Sequence, residues 1–446
     1  MPTALSTDLY ELTMAAGYHA AGTRDIATFE LHVREFPPHR LYLVAAGLEQ
    51  ALEYLESLQF TDPEIEYLRQ LPILGSVPAS FFDKCLPSLR FTGEVWAPEE
   101  GTPVFPLEPL LRVTAPILQA QLVETALLSI IGFQTTIASK AARIVEVADA
   151  RPITEFGGRR AHGSEAAALA ARAAYLAGCV GTSDTEAGFR FGIPVSGTMA
   201  HSWVMTFSDE MAAFESFAHL YGGRSVFLID TYDPLEAARR LAASPLRPAA
   251  VRLDSGNIVE LSRKVRQILD AGGLEKTEIF VSGDLDEHKI ASFLAQAAPL
   301  DGFGVGTALS TSRDSPALGV VYKLVEIERN GERVPTMKLS PGKLTLPGRK
   351  QVWRRFERDV AIGDVISLID EERPRNGVPL LQQVMAGGRR TAPPPALPAL
   401  RQRCLERVAQ LPADVRALAE VSRYPVVVSH RLEALARDLT ESSETA

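Results

Sequence analysis

The chain is poor in cysteine: Cys85, Cys179 and Cys404 are its three, far apart and with no CxxC pair. That argues against both a disulfide framework and a cysteine-built zinc site. It also lacks any run near the ~20 apolar residues needed to span a bilayer, so no membrane partner is expected. The opening MPTALSTDLYELTM has neither the basic start nor the apolar core of a secretory signal, and the cytoplasm is the expected compartment. Positive charge is not in excess. Lys+Arg of 46 against Asp+Glu of 55 gives −9, a poor balance for binding nucleic acid or an anionic surface. GxxxxGK[ST] is absent too, so there is no Walker-type phosphate loop.

What is present is an ordinary globular composition, 46% hydrophobic and 23% charged, over 446 residues. That length predicts two domains. Residues 5–22 read as a helix, with Asp8 and Glu11 as a capping-box-like start and Gly22 as the stop. IATFELHVREF alternates like a half-buried strand, LYLVAAG reads as another, and 48–71 as helical. Residues 91–114 suit short strands with tight turns, and Pro116 to Val147 a helical pair broken near Gly132.

From about residue 151 one pattern repeats: apolar strand, polar or Gly-rich tip, amphipathic helix. The tips are ITEFGGRRAHG, CVGTSD, PVSGTMAHS, LIDTYDP, VRLDSGN, FVSGDLD and GFGVGTALS. Such alternation means parallel strands with crossover helices, and seven successive tips favour a closed or nearly closed barrel over a doubly wound sheet. After Leu318 the pattern stops. Asn330-Gly331 marks a hairpin turn, PGKLTLPGRKQVWRR is basic, and RRTAPPPALPAL, 389–400, reads as a stiff linker before the last helices. The expected divisions are an α+β domain over 1–130, a barrel over 131–318, and a segment 319–446 whose strands complete the first domain and make it discontinuous.

Polar residues gather at the tips, where barrel chemistry sits. Arg159 and Arg160 follow one, Arg252 and Asp254 another, Asp230 and Asp233 a third, Asp284 and Asp286 a fourth. Each has a bland reading: a strand-end Asp often caps the next helix, as Asp286 could, and an Arg pair is usually solvated. SGDLD and GFGVGT let backbone amides approach a phosphate, or are simply tight turns. GFGVGT is not the dinucleotide fingerprint. His201, in GIPVSGTMAHSW, is either a packed, half-buried ring or a functional one. Residues alone therefore lead to a barrel enzyme acting on a phosphorylated sugar or similar anion.

TDLYELTM, EFGGRRAHG, GTMAHS, VRLDSGN, SGDLDE, GFGVGT and KLTLPGRKQVW, in this order, resemble the nicotinate phosphoribosyltransferase family. The resemblance implies an α/β fold, an irregular parallel β/α barrel with a sandwich-like N-terminal domain, paired as a homodimer with shared active sites. It implies that nicotinate and phosphoribosyl pyrophosphate give nicotinate mononucleotide and pyrophosphate, in NAD biosynthesis. ATP would be a co-substrate hydrolysed through a phosphohistidine at His201, and Mg²⁺ would bridge substrate oxygens with few direct protein ligands. Tyr10 would bound the pyridine ring, and Thr198 and Arg252 would hold the nicotinate carboxylate. Arg160, with Arg159, would face the donor, and Thr307 its 5′-phosphate. The same motifs add Asp254, Ser255, Gly283, Asp284, Gly304 and Gly306 to the substrate-binding set.

Two departures stand out. The family often has GTSN where this chain has GTSD, so Asp184 puts a carboxylate in place of an amide; and Cys404 alone cannot form the cysteine-rich zinc site that some relatives carry. The alternatives are a phosphoribosyltransferase for nicotinamide or quinolinate, and a catalytically silent, ligand-sensing barrel.

Overall fold

A computed structural model describes residues 2–339, 345–419 and 422–444; the start of the PGKLTLPGRK segment, 340–344, lies outside them. The chain divides into two units, one of Met1–Thr136 with Ala317–Ala446 and one of Ile137–Pro316.

The second unit carries six parallel strands in the order Gly181–Thr182, Ile153–Glu155, Gly302–Val305, Glu278–Val281, Ala250–Leu253, Val226–Leu228. The last strand in sequence pairs with the first, Phe303 opposite Ile153, which is the closure a barrel makes. A single parallel bridge, Thr182 to Val195, extends the other edge. Among the described residues no pairing joins Val195 to Val226–Leu228, so the sheet is a curled, incomplete barrel. Ile193 is buried but Val195 is 49% exposed, so PVSG is one bridge residue and not the buried strand its apolar run suggests.

The crossover helices follow the expected chemistry. Helix Ile258–Ala271 buries Ile258, Val259, Ser262, Val265 and Leu269, one stripe at helical spacing. Asp184, Asp233, Asn257 and Asp286 each accept a backbone amide at a helix start. Such caps contribute ~1 kcal/mol each.

In the other unit, a seven-stranded antiparallel sheet runs Glu332–Pro335, Val320–Arg329, Ile26–Val33, Pro109–Pro116, Glu94–Ala97, Gln382–Ala386, Arg389–Arg390. Val320–Arg329 lies beside Ile26–Val33, so strands from both ends of the chain share one sheet. A four-stranded sheet is built from Lys350–Glu357, Val360–Leu368, Gly377–Pro379 and Val426–Val428. Buried polar contacts tie the two sheets: Lys350 Nζ to Glu30 Oε2 at 2.8 Å, and Arg112 Nη1 to the Lys350 carbonyl at 2.6 Å.

Several local expectations need correction. The first helix is Leu9–Ala20, and Asp8 makes no side-chain cap; Glu11 instead accepts from Thr7 and Thr125. Residues 48–71 form two helices, Leu48–Ser57 and Asp62–Arg69. The 116–147 stretch breaks at Val123, not Gly132, and helix Glu124–Val147 runs straight through that glycine. Gly132 is a contact point, where an added Cβ would sit 3.0 Å from Val320 Cγ2. The turn at Asn330-Gly331 is present, both residues having positive φ, 53° and 81°. Of the 389–400 segment, Arg389–Arg390 is strand and Leu397 already starts a helix, which leaves the proline run between as the connection.

Candidate active site

Arg252, on the strand Ala250–Leu253, is the best anchored group at the carboxyl ends of the barrel strands. Its Nη1 donates to Thr198 Oγ1 at 2.7 Å and to the Met199 carbonyl at 3.3 Å, joining GTMAH to VRLDSG. Nη2 lies 3.6 Å from Asp254 Oδ1, and Nε is buried without a hydrogen-bond partner. Burial lowers the pKa of this guanidinium; Asp254 and Asp230 oppose that shift and Arg159 adds to it.

Asp230, just past Val226–Leu228, accepts the Asp254 amide at 2.8 Å and the Ser255 hydroxyl at 2.9 Å through Oδ2. Its Oδ1 is buried with no partner. Ser282 donates to Asp254 Oδ1, linking this tip to the next, Gly283-Asp284. Gly283 must be glycine: its φ is +94°, and a Cβ would run into the Asp254 carbonyl oxygen. Asp284 is exposed, also at positive φ, while Asp286 is a helix cap.

His201 opens the five-residue helix His201–Met205. Its Nδ1 is 3.1 Å from Thr231 Oγ1, a hydrogen bond that reaches from the PVSGTMAHS tip to the LIDTYDP tip across the opening in the barrel. Nε2 has no hydrogen-bond partner among the described residues. Thr231 was not singled out from the sequence, where the acids on either side of it, Asp230 and Asp233, drew notice. Asp233 caps a helix.

A second group forms around the first and last strands. Thr307 starts the helix Thr307–Ser310, and its hydroxyl is free among the described residues, whereas that of Thr311 bonds back to the Thr307 carbonyl at 2.7 Å. Ser310 Oγ reaches the Gly157 carbonyl at 3.3 Å, so the Gly306-Thr307 tip and the GGRR loop are held together. Arg159 and Arg160 are exposed on that loop, with no hydrogen bond or ion pair to either guanidinium among the described residues. Gly304 has a packing explanation of its own: Phe156 and Phe280 occupy the space a Cβ would need.

Glu155, which sequence reasoning missed, sits beneath the arginine loop. It is 1% exposed and accepts the Gly157 amide and, at 2.6 Å, Thr182 Oγ1. Burial raises its pKa; the two hydrogen bonds oppose that shift and nearby Asp184 adds to it. Thr182 Oγ1 in turn accepts the Asp184 amide at 3.0 Å, and Asp184 caps Ala187 at 2.9 Å. The departure at Asp184 thus has a local function that either an Asp or an Asn performs.

Thr198, His201, Arg252, Asp254 and Ser255 are therefore linked by hydrogen bonds or an ion pair, directly or through Thr231, Asp230 and one another, with Gly283-Asp284 adjoining. Tyr10 belongs to the other unit, 46% exposed on helix Leu9–Ala20, its phenol pKa raised by burial and by Glu124 and Glu11. Among the described residues no group of three or more His, Cys, Asp or Glu could hold a metal ion, and no helix is long and apolar enough to cross a membrane.

Comparison with known proteins matches three family models: the nicotinate phosphoribosyltransferase (NAPRTase) N-terminal domain over 5–132, the NAPRTase family over 152–343, and the C-terminal domain over 376–436. The chain is 46% identical over 438 residues to nicotinate phosphoribosyltransferase pncB2 of Mycobacterium tuberculosis, covering 96% of this chain and 92% of that one. It is also 46% identical over 380 residues to the Bacillus subtilis enzyme, covering 82% and 76%. The crystal structure of human nicotinic acid phosphoribosyltransferase superposes with a TM-score of 0.83 at 29% identity, over 97% of this chain and 99% of that one. The same architecture is seen in nicotinate-nucleotide pyrophosphorylase from Pyrococcus furiosus, with a TM-score of 0.75, 26% identity, and 91% and 95% coverage. The chain belongs to the nicotinate phosphoribosyltransferase family.

Proposed function

We propose that this protein joins nicotinate to phosphoribosyl pyrophosphate, forming nicotinate mononucleotide and pyrophosphate in NAD biosynthesis, and couples this to ATP hydrolysis through phosphorylation of His201. Family membership supports the first half. The observation that carries the second is the 3.1 Å contact of His201 Nδ1 with Thr231, which orients the ring and leaves Nε2 free as a nucleophile.

Arg252, with one buried donor unpaired and Thr198 fixed against it, is the anchor for a planar carboxylate. Arg159, Arg160 and the free Thr307 hydroxyl face the donor's phosphates. Displacement at the anomeric carbon builds positive charge on the ribose as the diphosphate leaves, so positioning and charge neutralisation do most of the work. Mg²⁺ would arrive on the donor, its charge offsetting the departing diphosphate. The buried, unpaired Asp230 Oδ1 fits its hydration shell, with Asp254 beside it. Tyr10 would bound the pyridine. A homodimer is proposed as the working unit, supported by the exposed apolar Phe189, Met205 and Leu220 on the barrel unit; sedimentation at assay concentration tests it.

The deciding experiment follows mononucleotide formation from nicotinate, nicotinamide and quinolinate, each with and without ATP. Nicotinate turnover stimulated by ATP supports the reading, and an acid-labile, base-stable label from γ-phosphate-tagged ATP that His201→Ala removes supports the phosphohistidine. Preference for another pyridine, or no turnover with any, overturns the assignment. Full ATP stimulation in His201→Ala returns His201 to being a packed ring.

A further inference from the structure

Beneath the tips of the barrel unit lies a buried ion cluster that the reaction chemistry does not use. Lys140, on helix Glu124–Val147, is 2% exposed, and its ammonium contacts two carboxylates, Glu287 Oε2 at 2.5 Å and Asp314 Oδ1 at 2.8 Å. Arg143, one turn later, reaches Glu287 Oε1 at 3.3 Å. Glu287 has no exposed surface.

What the two carboxylates belong to gives the cluster its meaning. Glu287 is the first residue of helix Glu287–Ala295, directly after the Ser282–Asp286 tip that carries Gly283 and Asp284. Asp314 ends the turn that follows helix Thr307–Ser310, where buried Ser312, at φ +42°, folds the chain back. A weaker exposed contact, Arg313 to Asp286 at 3.9 Å, joins the same two segments. One ammonium thus ties together two tips whose own backbones, glycine-bearing and at positive φ, have little to fix them.

A buried ion pair is weak evidence for stability, because desolvation offsets most of the attraction and apolar residues of similar volume often serve as well. Its geometric value is different: three charged groups satisfy one another in one arrangement only. Burial pushes the Glu287 carboxyl up, and Lys140 and then Arg143 outweigh that, so it stays below the ordinary carboxylate value and the pair stays charged.

We propose that Lys140 is a positioning residue, its ammonium holding the Gly283-Asp284 and Gly306-Thr307 tips at the spacing needed to grip a sugar phosphate that carries a second anionic group. The choice of ligand rests on the function proposed above; the mechanical claim does not.

The experiment therefore has two readouts. In Lys140→Met, amide hydrogen exchange should speed up together in 282–287 and 306–314, and the affinity for phosphoribosyl pyrophosphate measured by calorimetry should fall about tenfold, since small misplacements of a binding group carry penalties of that order. Nicotinate affinity should change less than about twofold, and Lys140→Arg should restore most of the donor affinity. Should Lys140→Met not fold, Asp314→Asn removes one arm only, and should loosen 306–314 with a smaller donor defect. Unchanged exchange at both tips, or donor and nicotinate affinities falling in parallel with the melting temperature, overturns the proposal. Wild-type protein that binds no donor overturns the functional reading instead, and the exchange data still decide the role of Lys140.

Discussion

Arg354 in the discontinuous unit and Arg252 in the barrel unit are both largely buried guanidiniums, and their surroundings differ in kind. Arg354 donates from Nε and Nη2 to both oxygens of Asp364, at 2.6–3.3 Å, and from Nη2 to the Pro103 carbonyl at 2.8 Å. It lies between the rings of Phe105 and Tyr424, and Tyr424 Oη donates to the same Asp364 at 2.9 Å. Although burial lowers its pKa, Asp364 outweighs that and the net shift is upward. Arg252 has a carboxylate no nearer than 3.6 Å and a buried Nε with no partner, and its pKa shifts down. A saturated buried charge is explained by the protein alone. An unsaturated one is explained by something that binds.

The same substitution at both sites should separate them. Arg354→Met strands Asp364 and the neighbouring Glu108 in the interior, and breaking such a pair from one side costs about 3–5 kcal/mol of stability. Chemical unfolding measures this loss, while nicotinate affinity of the folded protein should be unchanged. Without its cation, Asp364 would have a folded-state pKa above its unfolded value. The damage should therefore be least at low pH and grow as pH rises through that folded pKa. A loss that does not depend on pH would mean that Asp364 finds another partner.

Arg252→Met should show the reverse balance. Stability should move by less than about 1 kcal/mol, because little in the protein pairs with this charge. Nicotinate affinity should fall by about 1.5–3 kcal/mol, roughly tenfold to a hundredfold, with donor affinity much less affected. A donor defect with intact nicotinate binding would reassign Arg252 to the phosphates.

The contrast also explains what could be read from the chain alone. The parallel strand pattern was legible because Val251, Leu253, Ile279, Val281 and Phe303 are short apolar runs followed by polar tips and amphipathic helices. The opening in the barrel was not, since Ile193-Pro194-Val195 has strand composition and only neighbouring backbones decide that it makes one bridge. His201 and Arg252 were visible through their motifs. Thr231, Glu155, Lys140 and Glu287 were not, because their importance lies in which distant residue each one touches, and sequence spacing carries none of that. Helix Glu124–Val147 passing through Gly132 has the same cause: the glycine answers to Val320, nearly two hundred residues away.

Saturation can be tested at a smaller scale with Thr307, whose hydroxyl has no partner among the described residues. Thr307→Val keeps shape and removes one hydrogen bond to the proposed 5′-phosphate, worth about 0.5–1.5 kcal/mol. Donor affinity should drop severalfold, and nicotinate affinity and melting temperature should hold. Intact donor binding with a lowered melting temperature would make this threonine a packing residue.

Asp184 is the opposite case and the smallest expected effect. Its Oδ1 is committed to the Ala187 amide at 2.9 Å, and its own amide to Thr182 Oγ1 at 3.0 Å, so the side chain already has a structural use. Asparagine caps helices about as well as aspartate, and Asp184→Asn should change stability by no more than about 0.5 kcal/mol. One consequence is electrostatic. Asp184 contributes to the raised pKa of buried Glu155, so removing its charge should bring that carboxyl down toward the ordinary range, a shift readable by carbon NMR of the labelled side chain. Kinetic constants for nicotinate and donor should stay within about twofold. A large gain or loss in donor KM would show instead that the carboxylate of Asp184 acts on the ligand, and that a saturated side chain at this rim is not sufficient grounds for calling it structural.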